Sequence, residues 1–240
     1  MNLETNLIEE QLGLVREEYR RRMTGGDGDL LRQVEAYSAN RTGKMLRPRM
    51  LLAAYTHRDA AGHRDAAGRV STIPRRTLLL ATAVEMLHNA SLLHDDVIDR
   101  DLTRRGQPSV NAQWNNAVAV LVGDYHLVSI MQLLSEVGDQ SVTDRFIATV
   151  KSMVEAELLQ QDYSATQPLS SPATYLKIID GKTANLFALA AELGDPALRD
   201  YGLHYGRLFQ LRDDLADGEA TPFTQQLIEQ EEKALQEINL

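Results

Sequence analysis

The sequence has no cysteine, an aromatic content of only 5%, and no long uninterrupted run of apolar residues. Without cysteine, a disulfide framework and a thiolate metal site are both excluded, which fits a protein of the reducing cytoplasm. A membrane-spanning helix needs about 18 or more consecutive apolar residues, and no such run is present. The first 23 residues form a charged amphipathic pattern without the apolar centre of a signal peptide. We therefore expect a cytoplasmic protein with no integral membrane segment.

An excess of positive charge is lacking as well. The chain has 25 Lys and Arg against 34 Asp and Glu, which gives a net charge of −9. This balance argues against a broad nucleic-acid surface, although a local basic pocket remains compatible with it. The 240 residues are 43% hydrophobic and contain no linker rich in Pro, Ser or Gly. We therefore expect one packed domain that covers residues 1–240.

Strand signals are scarce, because apolar residues recur mostly at intervals of three and four. No convincing hairpin turn is found, and a short near-duplicate, RDAAGHRDAAGR (58–69), is interpreted as an exposed connection. The pattern predicts helices near 3–23, 28–39, 48–58, 74–99, 112–135, 141–164, 172–193, 196–217 and 222–238. An all-α bundle follows, in which ligand-binding groups project inward from facing helices.

What the chain does contain is one short pattern, Asp-Asp-x-x-Asp, in two copies. The first copy consists of Asp95, Asp96 and Asp99, and the second of Asp213, Asp214 and Asp217. Residues four apart share a helix face, so each copy stacks two like charges. Both copies also lie near expected helix C-termini, where the macrodipole disfavours negative charge. Such an arrangement predicts a cationic partner, and hard divalent ions with oxygen ligands are the first candidate.

Apolar neighbours predict that both helix ends are largely buried, so that the carboxylates need partners. A solvated helix end explains a single copy well but two copies less well. An acid/base pair of the glycosidase kind needs two carboxylates rather than six. Zinc fits poorly, because few imidazoles and no thiols accompany the clusters.

Basic residues stand close to the first cluster and well before it. Arg104 and Arg105 follow it, whereas Lys44 and Arg47 precede Pro48. Proline suits the first position of a helix, which places Lys44 and Arg47 on the entering loop. Taken alone, such residues are usually solvated surface. Close to carboxylates of the kind that bind metal ions, however, these residues have another meaning. Arginine can contact phosphate through two N–H groups and lysine supplies a point charge, so together they predict a Mg²⁺–diphosphate site.

The sequence DGKT (180–183) invites comparison with a phosphate-binding P-loop, which we reject. A P-loop needs glycine where this chain has Leu176, and a strand where this chain is helical. Lys182 and Thr183 are instead expected to be pocket residues on a helix that Gly181 bends.

Taken together, these motifs give a sequence that resembles the all-trans polyprenyl (isoprenyl) diphosphate synthases. The matching stretches occur in the family's order: GKMLRPRM (43–50), VEMLHNASLLHDDVIDRDLTRRGQPSVN (84–111), LVGDY (121–125), GKTANLFALAAELG (181–194) and FQLRDDLAD (209–217). One Asp-Asp-x-x-Asp motif is weak evidence, because class I terpene cyclases share it, but the complete set is specific. The resemblance implies a single-domain helical bundle of the isoprenoid synthase type around a deep central cavity, in a homodimer.

The resemblance also implies a role for each motif residue. The implied Mg²⁺ ligands at the allylic diphosphate are Asp95, Asp96, Asp99, Asp213, Asp214 and Asp217. The implied catalytic residues are the three aspartates of the first copy together with Arg104, Lys182, Thr183 and Gln210. The residues implied to bind isopentenyl diphosphate are Lys44, Arg47, His88 and Arg105.

The implied reaction joins isopentenyl diphosphate to an allylic diphosphate. Metal ions and cationic side chains stabilise the charge on the leaving diphosphate, which lets the allylic C–O bond ionise. The double bond of isopentenyl diphosphate attacks the carbocation, a proton is lost, and apolar helix faces exclude water. No enzymic nucleophile is required, and the sequence shows no nucleophile–base pair.

Product length is predicted from the helix that leads into the first cluster. Ala90 and Ser91 are small, where short-chain members of the family tend to carry an aromatic floor. The expected product therefore exceeds fifteen carbons, that is, C20 or longer. Close helix packing is an equally simple reason for small residues at these two positions.

The resemblance fails at the C-terminal end of the sequence. Only 23 residues follow Asp217, where family members continue with a Lys-containing, Gly-rich loop and several more helices. The last segment is predicted to be one amphipathic helix, with Thr221 as cap and Pro222 as first residue. Two interpretations are open. Either the chain is a compact form of the family, or its last helix completes a wall of the cavity through a partner subunit. Ala216, where a bulkier residue is usual, adds to the doubt about the second cluster.

Two alternatives remain beside an active transferase. The first is a non-catalytic or regulatory subunit of a heteromeric synthase, although such subunits usually lose the aspartate clusters. The second is a terpene cyclase, which has no need for the RRG and GKxLRP segments because it binds no second diphosphate substrate.

Overall fold

The computed structural model describes residues 3–24, 28–39, 43–60, 73–166 and 171–238. Helices account for most of these residues, which confirms the all-α prediction. The chain divides into two compact units, each with a core of its own. The amino-terminal unit comprises residues 1–52 and 64–139, and the carboxy-terminal unit comprises 53–63 and 140–240. The single-domain interpretation stays a prediction.

The amino-terminal unit contains five helices, the first part of a sixth and one short hairpin within its described residues. The helices are α1 Leu3–Thr24, α2 Asp29–Ala39, the start of α3 Leu46–Ala60, α4 Arg75–Ile98, α5 Val110–Gln113 and α6 Asn116–Val137. The hairpin pairs β1 (Thr103–Arg104) with β2 (Gln107–Pro108) in antiparallel register. Sequence periodicity missed it, because two residues are too few to show an alternating pattern.

Helix α4 forms the centre of this unit. It packs against α6 and α1, and its residues are buried almost continuously from Leu79 to Leu87. Helix α6 begins at a cap in which the Asn115 side chain accepts a hydrogen bond from the Val118 N–H at 2.9 Å. It ends at Gly138, whose φ of 67° lies in the left-handed region that favours glycine.

The carboxy-terminal unit contains the remaining helices. They are α7 Gln140–Thr166, α8 Pro172–Ile179, α9 Asn185–Gly194, α10 Arg199–Asp217 and α11 Thr224–Glu237. A π-helical turn, Asp180–Ala184, joins α8 to α9. It accounts for the bend predicted at Gly181, whose Cα lies against Ala156 and the Ser152 carbonyl of α7 without room for a side chain.

Helix α9 is the core of this second unit, because its residues 186–191 are all buried. Helix α10 approaches it through two glycines four residues apart. A Cβ at Gly202 would lie 2.6 Å from the Phe187 carbonyl oxygen, and a Cβ at Gly206 would lie 2.6 Å from the Cα of Ala184. Both distances are shorter than van der Waals contact, so only glycine permits this close packing.

Two predicted helix starts are wrong by about half a turn. Helix α3 begins at Leu46, so Arg47 lies in its first turn and Pro48 is its third residue, whereas Lys44 lies on the loop as predicted. Helix α11 begins at Thr224, whose Oγ1 accepts a hydrogen bond from the Thr221 N–H at 2.9 Å.

Two further boundaries also differ from the prediction. Residues 110–113 form a separate short helix, which moves the start of α6 to Asn116. The near-duplicate at 58–69 lies for the most part outside the described residues.

Among the described helices, α6 alone is long and apolar enough to cross a membrane, and 44% of its apolar window is buried. This is weak evidence for a span, because a core helix passes the same test. The predicted absence of a membrane segment stays a prediction.

Candidate functional site

The first aspartate cluster lies at the C-terminal end of α4, as predicted. Asp96 is the buried member, with 3% of its surface exposed. Its carboxylate accepts a hydrogen bond from Arg104 Nε at 2.7 Å and a second, shorter one from the same guanidinium. Both nitrogens donate to the same oxygen, Asp96 Oδ1, and because the two groups carry opposite charges these hydrogen bonds are stronger than neutral ones. Asp96 therefore holds Arg104 in place.

The backbone around Asp96 is also fixed. The Asn111 amide donates to the carbonyl oxygens of Asp96 and Asp101, each at 3.0 Å. The buried Ser109 hydroxyl donates to the Asp101 carbonyl at 2.6 Å. They add to the backbone bond in which the Asp101 N–H donates to the Asp96 carbonyl oxygen at 2.9 Å, so the chain just beyond α4 is tied to the helix end. They also join the helix end to the hairpin that carries Arg104 and Arg105.

Asp95 and Asp99 are placed on the same side of the helix end. Asp95 is half-buried, Asp99 is exposed, and the Asp99 N–H closes the helix on the Asp95 carbonyl at 2.8 Å. Within the described residues, no three acidic or imidazole side chains are arranged to hold a metal ion alone. Mg²⁺ commonly uses only one or two carboxylates, together with water and substrate phosphates. The pair fits a Mg²⁺ ion that arrives with a diphosphate.

Three of the four residues predicted to bind isopentenyl diphosphate lie close together in the amino-terminal unit. His88 is half-buried, and burial together with the charges of Arg47 and Arg105 lowers its pKa well below the usual value. The imidazole is therefore neutral at pH 7. The Arg105 guanidinium lies directly against Gly43, with no room for a side chain there. Lys44, next along that loop, is exposed.

A cavity continuous with solvent opens beside these cations. Its empty volume is about 850 Å³. The cationic residues in its lining are Arg16, Arg20, Arg104 and Arg105, and the acidic ones are Glu85 and Asp96. An excess of arginine over acid at a concave surface suits an anionic ligand.

The second aspartate cluster lies at the C-terminal end of α10, again as predicted. Asp214 is its half-buried member. Its carboxylate accepts a hydrogen bond from the Gln210 amide at 2.7 Å and another from the Tyr175 hydroxyl. Gln210 in turn accepts a hydrogen bond from Thr183 Oγ1 at 2.7 Å. A continuous chain of hydrogen bonds therefore orients Asp214.

Tyr175 is a protonated donor in this chain. Burial, and then its hydrogen bond to Asp214, raise the pKa of the Tyr175 hydroxyl above the usual value. Thr183 and Gln210 were predicted as catalytic residues. In the structure, Gln210 donates a hydrogen bond to Asp214, and Thr183 donates one to Gln210.

The predicted burial of the second cluster is wrong. Asp213 and Asp217 are exposed, and Leu215 between them is 48% exposed. Only the inner face of α10 is covered, because its apolar residues repeat once per turn rather than around the whole helix.

Lys182 lies on the π-helical turn and is held by helix α7. Its Nζ is 2.6 Å from a Glu157 carboxylate oxygen and donates to the Gln160 side chain at 3.0 Å. Burial acts to raise the pKa of Glu157, but the bonds from Lys182 and Gln161 lower it overall. Lys182 is therefore an ordered cation with a carboxylate partner.

Sequence patterns missed Tyr175 and Asn111 as site residues. Asn111 closes the second of the motif stretches, so its position was a usable signal. Tyr175 reaches Asp214 across 39 positions of the chain, and no local pattern encodes such a contact.

The sequence is similar to a known protein family and to individual members of it. A model of the polyprenyl synthetase family matches residues 28–227. The chain is 38% identical over 198 residues to an all-trans-nonaprenyl-diphosphate synthase (geranyl-diphosphate specific) from Rhodobacter capsulatus, and the match covers 78% of this chain and 57% of that protein. It is 33% identical over 154 residues to heptaprenyl diphosphate synthase component 2 from Bacillus subtilis, with 59% of this chain and 43% of that protein covered.

A solved structure is similar as well. The polyprenyl synthase from Caulobacter crescentus CB15, complexed with calcium and isoprenyl diphosphate, superposes with a TM-score of 0.77 at 35% identity. The superposition covers 88% of this chain and 63% of that one. The chain thus spans about three fifths or less of the length of these relatives.

Proposed function

Because the chain belongs to the polyprenyl synthetase family, we propose that it is a Mg²⁺-dependent prenyltransferase that condenses isopentenyl diphosphate with an allylic diphosphate. The products are a longer all-trans prenyl diphosphate and free diphosphate. One observation carries the proposal. The Asp95 and Asp99 pair stands at the end of α4, and Arg104 is held beside it by two charge-assisted hydrogen bonds to Asp96 Oδ1.

In this reaction, the allylic C–O bond breaks and its electron pair leaves with the diphosphate. The double bond of isopentenyl diphosphate forms the new carbon–carbon bond to the allylic carbon, and loss of one proton restores a double bond. The protein's part is to place charge opposite the leaving group and to exclude water. No side chain forms a covalent bond to the substrate.

Asp95 and Asp99 are the carboxylates that would hold Mg²⁺, with Asp213, Asp214 and Asp217 as the corresponding set on α10. When bound, the ion supplies positive charge to the leaving diphosphate. Asp96 acts one step removed, because its carboxylate already accepts both bonds from Arg104. Arg104 adds fixed positive charge beside the first cluster, and Lys182 is an ordered cation of the carboxy-terminal unit.

Isopentenyl diphosphate is proposed to bind to Lys44, Arg47, His88 and Arg105. The neutral state of His88 supports this assignment. An uncharged imidazole can donate a hydrogen bond to phosphate and adds no positive charge that would repel the nearby arginines. Lys44 is exposed and can reach an arriving anion.

The product is proposed to be C20 or longer. Ala90 and Ser91 have small side chains, which leave room for a long product. Ala90 is buried, and the half-buried Ser91 donates to the His88 carbonyl at 2.9 Å. The named products of the relatives, nonaprenyl and heptaprenyl diphosphates, support a long chain. Ser91→Phe should shift the product distribution to shorter chains, measured by sizing labelled products. An unchanged distribution would place the floor elsewhere.

A homodimer is proposed as the active form. Helix α6 exposes Leu121, Val128 and Met131 at 66%, 52% and 66%, and their spacing puts them on one side of the helix. An exposed apolar stripe of this kind marks an interaction surface. Met131→Glu should yield a smaller particle by light scattering, whereas a dimer that survives this change would exclude the stripe as the interface.

A non-catalytic subunit of a heteromeric synthase is the second candidate. Similarity to heptaprenyl diphosphate synthase component 2 from Bacillus subtilis supports a heteromer. Both aspartate clusters are intact, which favours catalysis. Purified protein incubated with labelled isopentenyl diphosphate, an allylic primer and Mg²⁺ distinguishes the two. Incorporation by the protein alone supports the transferase, and incorporation only with an added partner subunit supports the second candidate.

A further inference from the structure

Glu85 is a buried carboxylate in the central helix of the amino-terminal unit. It lies on α4 before the first aspartate cluster, and only 6% of its surface is exposed. Its Oε2 atom has no hydrogen-bond partner within the described part of the chain. Burial of a carboxylate is unfavourable unless donors or cations compensate for the lost hydration. Apolar packing alone does not explain an acid at this position.

Arginines from three separate segments act on this carboxylate through their charge. Burial raises the pKa of Glu85, and the charges of Arg47, Arg105 and Arg16 oppose that rise. Arg47 is itself buried at 8% exposure. Burial lowers the pKa of Arg47 to about 10, and the charge of Glu85 acts in the opposite direction. Glu85, Arg16 and Arg105 also line the same cavity.

The three segments meet only through tertiary structure. Arg16 comes from α1, Arg47 from the first turn of α3, and Arg105 from the hairpin turn, where its φ is 53°. Like-charged guanidinium groups repel one another unless an anion lies among them. Because Glu85 and Arg47 are buried, salt screens their attraction only weakly.

We propose that Glu85 is a positioning residue of the isopentenyl diphosphate subsite, where it holds Arg16, Arg47 and Arg105 in a converging arrangement before the diphosphate binds. This rests on the proposed function, and it adds Arg16 to the subsite. Cations that are already ordered bind an anion more tightly, because binding then orders fewer side chains.

A positioning role and simple charge repulsion predict opposite changes in diphosphate affinity for Glu85→Gln. If Glu85 were only a nearby negative charge, Glu85→Gln would remove a repulsion and tighten diphosphate binding. If Glu85 holds the arginines, Glu85→Gln lets them separate and weakens binding. Glu85→Asp keeps the charge on a shorter side chain and should fall between wild type and Glu85→Gln.

Titration calorimetry with isopentenyl diphosphate measures that sign. A chelator in the buffer confines binding to the subsite that needs no metal. Loss of a residue that supports a metal ligand typically weakens metal affinity by 10- to 100-fold, and by analogy we expect about tenfold weaker diphosphate binding for Glu85→Gln. In turnover assays, the KM for isopentenyl diphosphate should rise while the KM for the allylic substrate changes less than about twofold. Equal or tighter binding by Glu85→Gln would overturn the proposal.

Glu35→Gln is the matched control. Glu35 is buried at 4% exposure in the same unit, and burial alone raises its pKa to about 7. No arginine contributes to its titration, so Glu35→Gln should leave the affinity unchanged. Equal loss of affinity in both variants, at equal thermal stability, would also overturn the proposal, because any buried acid would then have the same effect.

A second measurement on the free protein separates this proposal from the proposed function. The Nε–H signals of Arg47 and Arg105 in a ¹⁵N NMR spectrum, assigned by single Arg→Lys variants, report the order of each guanidinium. Glu85→Gln should shift and broaden both signals, and Glu35→Gln should shift neither. Unchanged signals would refute the positioning role even if the protein is an active transferase. If the wild type bound no isopentenyl diphosphate, the function would fail while these spectra still tested Glu85.

Discussion

The two aspartate clusters share a sequence pattern but differ in structure. The first has a buried member, Asp96, whose carboxylate accepts two hydrogen bonds from Arg104 and whose carbonyl oxygen accepts one from Asn111. The second has a half-buried member, Asp214, whose partners are the uncharged Gln210 and Tyr175. Charge fixes one cluster, whereas neutral hydrogen bonds orient the other.

The two clusters therefore differ in how neighbouring side chains hold the carboxylates that we propose as metal ligands. In the first cluster, Asp96 accepts two hydrogen bonds from Arg104, and Asp95 and Asp99 are the pair that we assign to the metal. In the second cluster, Asp213 and Asp217 are exposed, and the half-buried Asp214 accepts hydrogen bonds from Gln210 and Tyr175. We therefore expect catalysis to depend more strongly on the first cluster.

Asp95→Asn should have the largest effect. Loss of a metal-binding carboxylate removes stabilisation of the leaving group, so kcat should fall by about a hundredfold or more. Asp213→Asn should lower kcat by about tenfold, because the exposed cluster is less constrained. The exposed Asp200, on the first turn of α10, provides the control, and Asp200→Asn should leave kcat unchanged. Equal losses for Asp95→Asn and Asp213→Asn would contradict the difference between the clusters.

Tyr175→Phe should have the next largest effect. It removes the hydroxyl that donates to Asp214, and supporting residues of this kind typically contribute about tenfold. The expected result is a rise of about tenfold in the Mg²⁺ concentration required for half-maximal rate. Tyr201→Phe, on the same helix as Asp214, is the control. A Mg²⁺ dependence that Tyr175→Phe leaves unchanged would show that Asp214 does not need this bond.

Asn111→Ala should affect stability before it affects catalysis. Its amide serves two carbonyl groups at the end of α4, and the loss of such partners costs about 1–3 kcal/mol of unfolding free energy. Gln210→Ala should cost less than about 1 kcal/mol, because the second cluster lies closer to solvent. Urea denaturation measures both values. A larger loss for Gln210→Ala would reverse the expected order.

The effect furthest from catalysis should be a pH dependence of stability in the amino-terminal unit. Burial raises the pKa of Glu35 to about 7 from 4.5, so the folded state binds this proton more tightly. The stabilisation is complete below pH 4.5 and is lost as the pH rises through 7. The unfolding free energy of wild type minus that of Glu35→Gln should therefore fall by about 3 kcal/mol across this range. A difference that stays constant would show that Glu35 is not perturbed.

The sequence predicted most of the helices because apolar periodicity is a local property. It also placed both aspartate clusters at helix ends and Lys44 on a loop. It missed the hairpin at 103–108, because two paired residues carry no periodic signal. It also predicted burial around Leu215, where only one face of α10 is covered.

Contacts between distant segments were beyond reach of the sequence. Asp214 meets Tyr175 across 39 positions, and the charges of arginines from three segments act on Glu85. Such contacts depend on how helices pack, and packing is set by many residues at once. The sequence predicted the motif residues as a set, but the contacts among them required the three-dimensional structure.

We expect this protein alone to transfer prenyl groups, with the first cluster as its metal site. Purified protein is incubated with labelled isopentenyl diphosphate and allylic primers of several lengths, with Mg²⁺ or with chelator. Labelled prenyl diphosphates of C20 or longer should form with Mg²⁺, and none should form with chelator or with Asp95→Asn. Failure to incorporate label with any primer, or equal incorporation by Asp95→Asn, would contradict this expectation.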